Sequence, residues 1–178
     1  MPKATILIVE DEAIIAQDLS QQLTRLGYEV LGITDTGEKA VVLAKERRPG
    51  VVLMDIRLKG PMDGIQAAER IGRAAKVPVI YLTAHSDDAT LQRAKLTGPL
   101  GYILKPFEER ELETQIEIAL YKHKLDCELR QTNAELQGFN DVMVGRELRM
   151  IELKQEIDAL CSKYGEPLRY GYAPSPKV

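Results

Sequence analysis

Five short apolar runs limit what this chain can fold into. They lie at 5–9, 29–33, 51–54, 77–82 and 101–104. Each is continuous in its apolar character rather than alternating. That is the signature of strands buried on both faces, as in a parallel sheet. The stretches between them have helical period. Ile14, Ile15, Leu19, Leu23 and Leu26 recur at spacings of three and four, and Gly27 stands where a helix C′ glycine belongs. Segments 37–48, 63–75 and 87–96 repeat the pattern, each opening near Asp or Gly. Alternation of this kind over about 120 residues predicts a doubly wound α/β domain. Right-handed crossovers favour the strand order 2-1-3-4-5. The functional crevice then lies at the carboxyl ends of strands 1 and 3.

A different pattern starts near residue 108 and carries no strand signal. From Leu125 a heptad fits, with a at Leu129, Leu136, Met143, Met150, Ile157 and Tyr164. Position d falls on Leu125, Thr132, Phe139, Arg146, Leu153 and Leu160; ten of these twelve positions are apolar. The reading is a coiled coil continuing the fifth helix. Gly138 and Gly145 fall at c, where each costs about 1 kcal/mol against Ala without disturbing a seam. The alternative is a helical hairpin broken at 142–145. Arg146 at d either snorkels or sets register. Domain limits are thus 1–121, a helical extension 122–164, and a tail 165–178. The tail holds three prolines and two glycines and is expected to be loose.

Composition excludes some classes of function. Net charge is −3, and 121–178 carries nine acids and nine bases, so the extension is no basic arm. No run approaches the apolar length of a membrane span, and the N-terminus does not resemble a signal peptide. Two cysteines, Cys127 and Cys161, have no metal-type spacing and are expected to be reduced thiols in a cytoplasmic protein.

The chemistry-bearing residues fall where the crevice is expected. Glu10 and Asp11 follow strand 1, and Asp55 ends strand 3. Converging carboxylates raise one another's pKa unless a cation sits among them, and a hard dication such as Mg²⁺ suits an all-oxygen set. Thr83 ends strand 4 with a hydroxyl. Lys105 ends strand 5 with an ammonium, just before Pro106. Singly these are ordinary strand-end residues. Together they suit an aspartyl phosphate, with Asp as nucleophile and Mg²⁺ and Lys neutralising phosphoryl oxygens.

The segments 6–12 (ILIVEDE), 52–58 (VLMDIRL), 61–64 (PMDG), 79–84 (VIYLTA) and 101–107 (GYILKPF) resemble the receiver domain of two-component response regulators, over residues 4–121. The resemblance implies a flavodoxin-like, five-stranded parallel α/β sheet. It implies that Asp55 is the phosphoacceptor, and that Asp11, Asp55 and the backbone carbonyl of Arg57 hold Mg²⁺, with Glu10 acting directly or through water. Thr83 and Tyr102 would be a switch pair, Tyr102 turning inward on phosphorylation. Lys105 would bind phosphate, with a cis bond to Pro106. Two departures stand out. Glu10 occupies a position where Asp is frequent, and Pro99 stands where a small residue is usual.

The expected function is a signalling switch, not an enzyme. A sensor histidine kinase phosphorylates Asp55, and the change is relayed by dimerisation or partner contact through the C-terminal helices. The alternative is a transcriptional regulator with a non-standard DNA-binding end, although no helix-turn-helix pattern follows residue 121. An aspartate-nucleophile phosphatase would want Asp-x-Asp after strand 1, which is absent. His85 and His123, the two histidines, read as ordinary residues rather than phosphotransfer sites.

Overall fold

A computed structural model of the chain describes residues 2–84 and 88–171, the side chains of 88–91 excepted; His85, Asp87 and Tyr172 lie outside the described residues. The strands are β1 (Thr5–Val9), β2 (Glu29–Thr34), β3 (Val51–Asp55), β4 (Val79–Thr83) and β5 (Gly101–Leu104). The helices are α1 (Ala13–Arg25), α2 (Gly37–Arg47), α3 (Gly64–Ala75), α4 (Asp88–Leu96) and α5 (Glu109–Tyr164). All strand pairs are parallel and the order is β2-β1-β3-β4-β5, the expected doubly wound arrangement. By chain contacts the molecule divides into two units, Met1–Asp126 and Cys127–Val178.

In the first unit the sheet separates two apolar layers. Leu7, Val9, Val52, Met54 and Tyr81 face Ala40, Ala44, Ile65 and Ile71 of α2 and α3. Ile6, Ile8, Leu53, Leu82 and Ile103 face Leu19 and Leu23 of α1 and Leu112, Ile116 and Ala119 at the start of α5. Both faces of β3 are therefore covered, which is why its sequence is apolar throughout until Asp55. Burying one such Leu or Ile contributes about 1.5–3 kcal/mol. The period-two alternation of side chains then leaves the strand ends, not their centres, free to carry polar groups.

One close approach fixes the loop after β3. A Cβ on Gly64 would lie 1.9 Å from the carbonyl oxygen of Asp55, so only glycine fits there. Asp63 caps α3: its carboxylate accepts from the Gln66 amide at 2.8 Å while the Gln66 side chain accepts from the Asp63 amide at 3.2 Å. This is the reciprocal capping box, legible as Asp-x-x-Gln at 63–66.

The second unit consists of the rest of α5 and a return segment. The helix is uninterrupted through Gly138 and Gly145, so the hairpin alternative at 142–145 is not what forms. Leu129, Leu136, Phe139, Met143 and Met150 are exposed along it. Gly165, at φ +73°, ends it, and the Glu166 amide donates to the Cys161 carbonyl at 2.9 Å. The segment expected as a loose tail begins with a fixed piece. Buried Asp158 accepts from the Arg169 amide at 2.7 Å and the Tyr170 amide at 2.9 Å, and Lys154 sits 5.6 Å from the Tyr170 ring centroid. The composition of 165–171 hid this because the gripping carboxylate lies back in the helix. No described helix is long and apolar enough to cross a membrane.

Candidate functional site

The carboxyl ends of β1, β3, β4 and β5 meet at one rim of the sheet. Glu10 and Asp11 follow β1, Asp55 is the last residue of β3, Thr83 the last of β4, and Lys105 follows β5. The expected juxtaposition is present. One carboxylate oxygen from each of Glu10, Asp11 and Asp55 lies within 4.8 Å of the others. The Lys105 ammonium lies between two of them, 2.5 Å from Glu10 Oε2 and 2.6 Å from Asp55 Oδ2. Glu10 is 2% exposed, and Asp55 and Thr83 are also buried. The Lys105–Pro106 peptide bond is cis.

Backbone amides orient the acids. The Arg57 amide donates to Asp55 Oδ1 at 2.9 Å, and the Glu12 amide donates to Glu10 Oε1 at 3.3 Å. Asp11 is met by the exposed Lys59, whose ammonium is 3.3 Å from its carboxylate and 3.3 Å from its carbonyl oxygen. These amide donors and Lys59 were not singled out in the sequence. Nothing in residue type distinguishes an amide that happens to point at a carboxylate.

The electrostatics follow from burial. Burial pushes the Glu10 carboxyl up, and the hydrogen bond from Lys105 only partly offsets it. Burial also pulls Lys105 down, but its hydrogen bonds to Asp55 and Glu10 outweigh that and hold it above the ordinary lysine value. Glu10 and Asp55 thus share the Lys105 ammonium, with the third acid, Asp11, beside them. An all-oxygen donor set with excess negative charge fits a hard dication. Beside it opens a cavity of about 720 Å³, lined among others by Asp11, Asp55, Arg57, Thr83, Lys105 and Phe107.

Tyr102 stands one layer away, on β5. Its ring centroid is 5.7 Å from that of Tyr81 and its hydroxyl oxygen is buried with no partner among the described residues. The ring is partly buried, packed against the apolar layer that holds Tyr81. Burial raises its pKa. Tyr81 is pushed up to about 12, chiefly by burial, although its hydroxyl pairs with Thr97 at 2.8 Å.

The chain is similar in sequence and fold to known proteins. A family model described as the response regulator receiver domain matches residues 6–117. A transcriptional regulatory protein, PdtaR of Mycobacterium tuberculosis, is 34% identical over 143 residues, covering 80% of this chain and 68% of that relative. The signal receiver domain of a modulated diguanylate cyclase from Desulfovibrio desulfuricans G20 superposes with a TM-score of 0.67 at 43% identity, over 69% of this chain and 98% of that one. The receiver domain of a sensor histidine kinase from Pseudomonas aeruginosa PAO1, solved with a magnesium ion coordinated in its active site cleft, superposes with a TM-score of 0.61 at 31% identity, over 66% of this chain and 97% of that one. The strand order, the acid–lysine rim and the family match over 6–117 converge: the chain belongs to the response regulator receiver domain family.

Proposed function

We propose that the chain is a phosphorylation-dependent switch in which Asp55 accepts a phosphoryl group from a sensor histidine kinase. The observation that carries this reading is the Lys105 ammonium 2.6 Å from Asp55, beside two further acids and an open cavity. An Asp55 carboxylate oxygen attacks phosphorus. The new P–O bond forms as the P–N bond of the phosphohistidine breaks, and the histidine nitrogen keeps the electron pair. Lys105 neutralises a phosphoryl oxygen, and the Thr83 hydroxyl hydrogen-bonds another. Asp11, Asp55 and the carbonyl of Arg57, with Glu10 direct or through water, would hold Mg²⁺, which would supply further charge neutralisation. The chain is a phosphoacceptor rather than an enzyme, and it works in the cytoplasm.

The phosphoryl group adds nearly two negative charges and three acceptor oxygens. Thr83 and Tyr102 form the switch pair that passes this change to the face of α4, β5 and α5. Output runs through the extension, by pairing with a second copy or a partner helix along the heptad seam. The exposed Leu129, Leu136, Phe139 and Met143 support that part of the reading. Binding of beryllofluoride with Mg²⁺ tests the site: the wild type should bind and Asp55→Asn should not. Light scattering of the full chain with and without the mimic tests the output. An unchanged assembly state would remove the coupling to the extension.

A second reading, control of transcription, draws on the names of relatives such as PdtaR. Against it stands the charge balance of 121–178, nine acids to nine bases, which gives that segment no net positive charge to attract phosphates.

A further inference from the structure

Helix α4 is fastened near its C-terminal end at two points. The Tyr81 hydroxyl lies 2.8 Å from Thr97 Oγ1, which donates to the Ala94 carbonyl at 2.8 Å. Arg93 Nη2 donates to Asp63 Oδ2 at 2.8 Å. Asp63 is the residue that caps α3, and it caps with its other oxygen, Oδ1. Its two carboxylate oxygens therefore serve two different helices.

The position of Asp63 gives this ion pair its consequence. The loop that leaves Asp55 closes back on it at 63–64. The Gly64 amide donates to the Ile56 carbonyl at 3.0 Å, and Gly64 lies directly against the Asp55 carbonyl. Within the same loop the Arg57 amide holds Asp55 Oδ1 at 2.9 Å. Arg93 reaches this closure from a separate element, in a segment of sequence 30 residues away.

We propose that Arg93 is a positioning residue for Asp55. By gripping Asp63 it holds the closing point of the 56–63 loop, and so the orientation of the Asp55 carboxylate for phosphoryl acceptance. The inference rests on reading Asp55 as the phosphoacceptor. Orientation held by a supporting residue is worth rate and affinity because the acceptor need not be ordered at the moment of transfer. The pair is half-exposed, with side chains 54% and 34% accessible, so its contribution is modest.

The test measures beryllofluoride affinity and acetyl phosphate labelling rate on the full chain. The variants are Arg93→Gln, Asp63→Asn (which keeps a capping oxygen), both together, and Arg93→Lys. Each single loss of charge should weaken mimic affinity about two- to fivefold, the size set by an exposed ion pair. The double variant should be no worse than the weaker single, and Arg93→Lys should recover most of the loss. Mimic affinity unchanged in Arg93→Gln, with only the melting temperature lowered, would overturn the inference. So would losses that multiply in the double variant. Labelling that persists in Asp55→Asn would instead sink the phosphoacceptor reading itself, a result distinguishable from either.

Discussion

The two units bury their apolar residues to very different degrees. In the first, Leu23 is 0% exposed, whereas Leu136 in the second is 61% exposed. The first unit closes a core on both faces of its sheet, and this rigid frame brings four strand ends together at one rim. Among its described residues, the second is one helix whose apolar side chains are largely exposed, apart from those near the short return segment gripped by Asp158. A lone amphipathic helix gains most of its stability from what it packs against. The site therefore depends on the first unit's internal packing, while the apolar side chains of the second stay exposed.

That contrast predicts where substitutions will hurt. The largest effect is expected at Lys105, which holds two buried carboxylates. Lys105→Met should cost about 3–5 kcal/mol at neutral pH, because it leaves charge buried and unpaired. The loss should shrink on acidification. Burial holds Glu10 above its unfolded value of 4.5, so the folded state takes up a proton first. Stability contributed by that protonation is fully present below pH 4.5 and is lost as pH rises through the raised folded value. Urea unfolding at a series of pH values checks both the size and the sign.

A pair of glycine substitutions comes next. Gly64→Ala drives a methyl against the Asp55 carbonyl and should cost about 3 kcal/mol, with loss of mimic binding. Gly145→Ala, where a Cβ meets nothing within 4 Å, should instead stabilise the helix by about 1 kcal/mol. Chemical denaturation with circular dichroism reads both. Effects of the same sign and size at those two sites would erase the distinction between the units.

The smallest effect is expected at Tyr81. Tyr81→Phe loses the bond to Thr97, about 1 kcal/mol at neutral pH. The folded phenol titrates near 12 against 10.0 unfolded, so its contribution is full below pH 10 and fades between pH 10 and about 12. The variant should therefore have a flatter alkaline limb. The raised Lys105, Tyr28 and Tyr102 keep part of that limb in both proteins.

How much of this could be read in the sequence follows the same division. Strand order was legible because buried parallel strands write uninterrupted apolar runs, as 51–54 does before Asp55. The meeting of Glu10, Asp11, Asp55 and Lys105 was legible because strand order alone carries strand ends to one rim. The orienting amides of Glu12 and Arg57 were not, since every residue has one. The Asp158 clamp on 169–170 was missed because it depends on the direction in which the chain turns after Gly165. The Arg93–Asp63 pair was missed because it joins residues far apart in sequence, and no periodicity encodes such a contact.

The most direct measurement is the phosphoryl mass gained after incubation with acetyl phosphate and Mg²⁺, and its location, marked by borohydride reduction of the acyl phosphate with release of phosphate. One group per chain before reduction, homoserine at residue 55 alone after it, and neither when Mg²⁺ is omitted, is the predicted result. A group carried at any other residue, or an Asp55→Asn protein that labels as fast as the wild type, would contradict it.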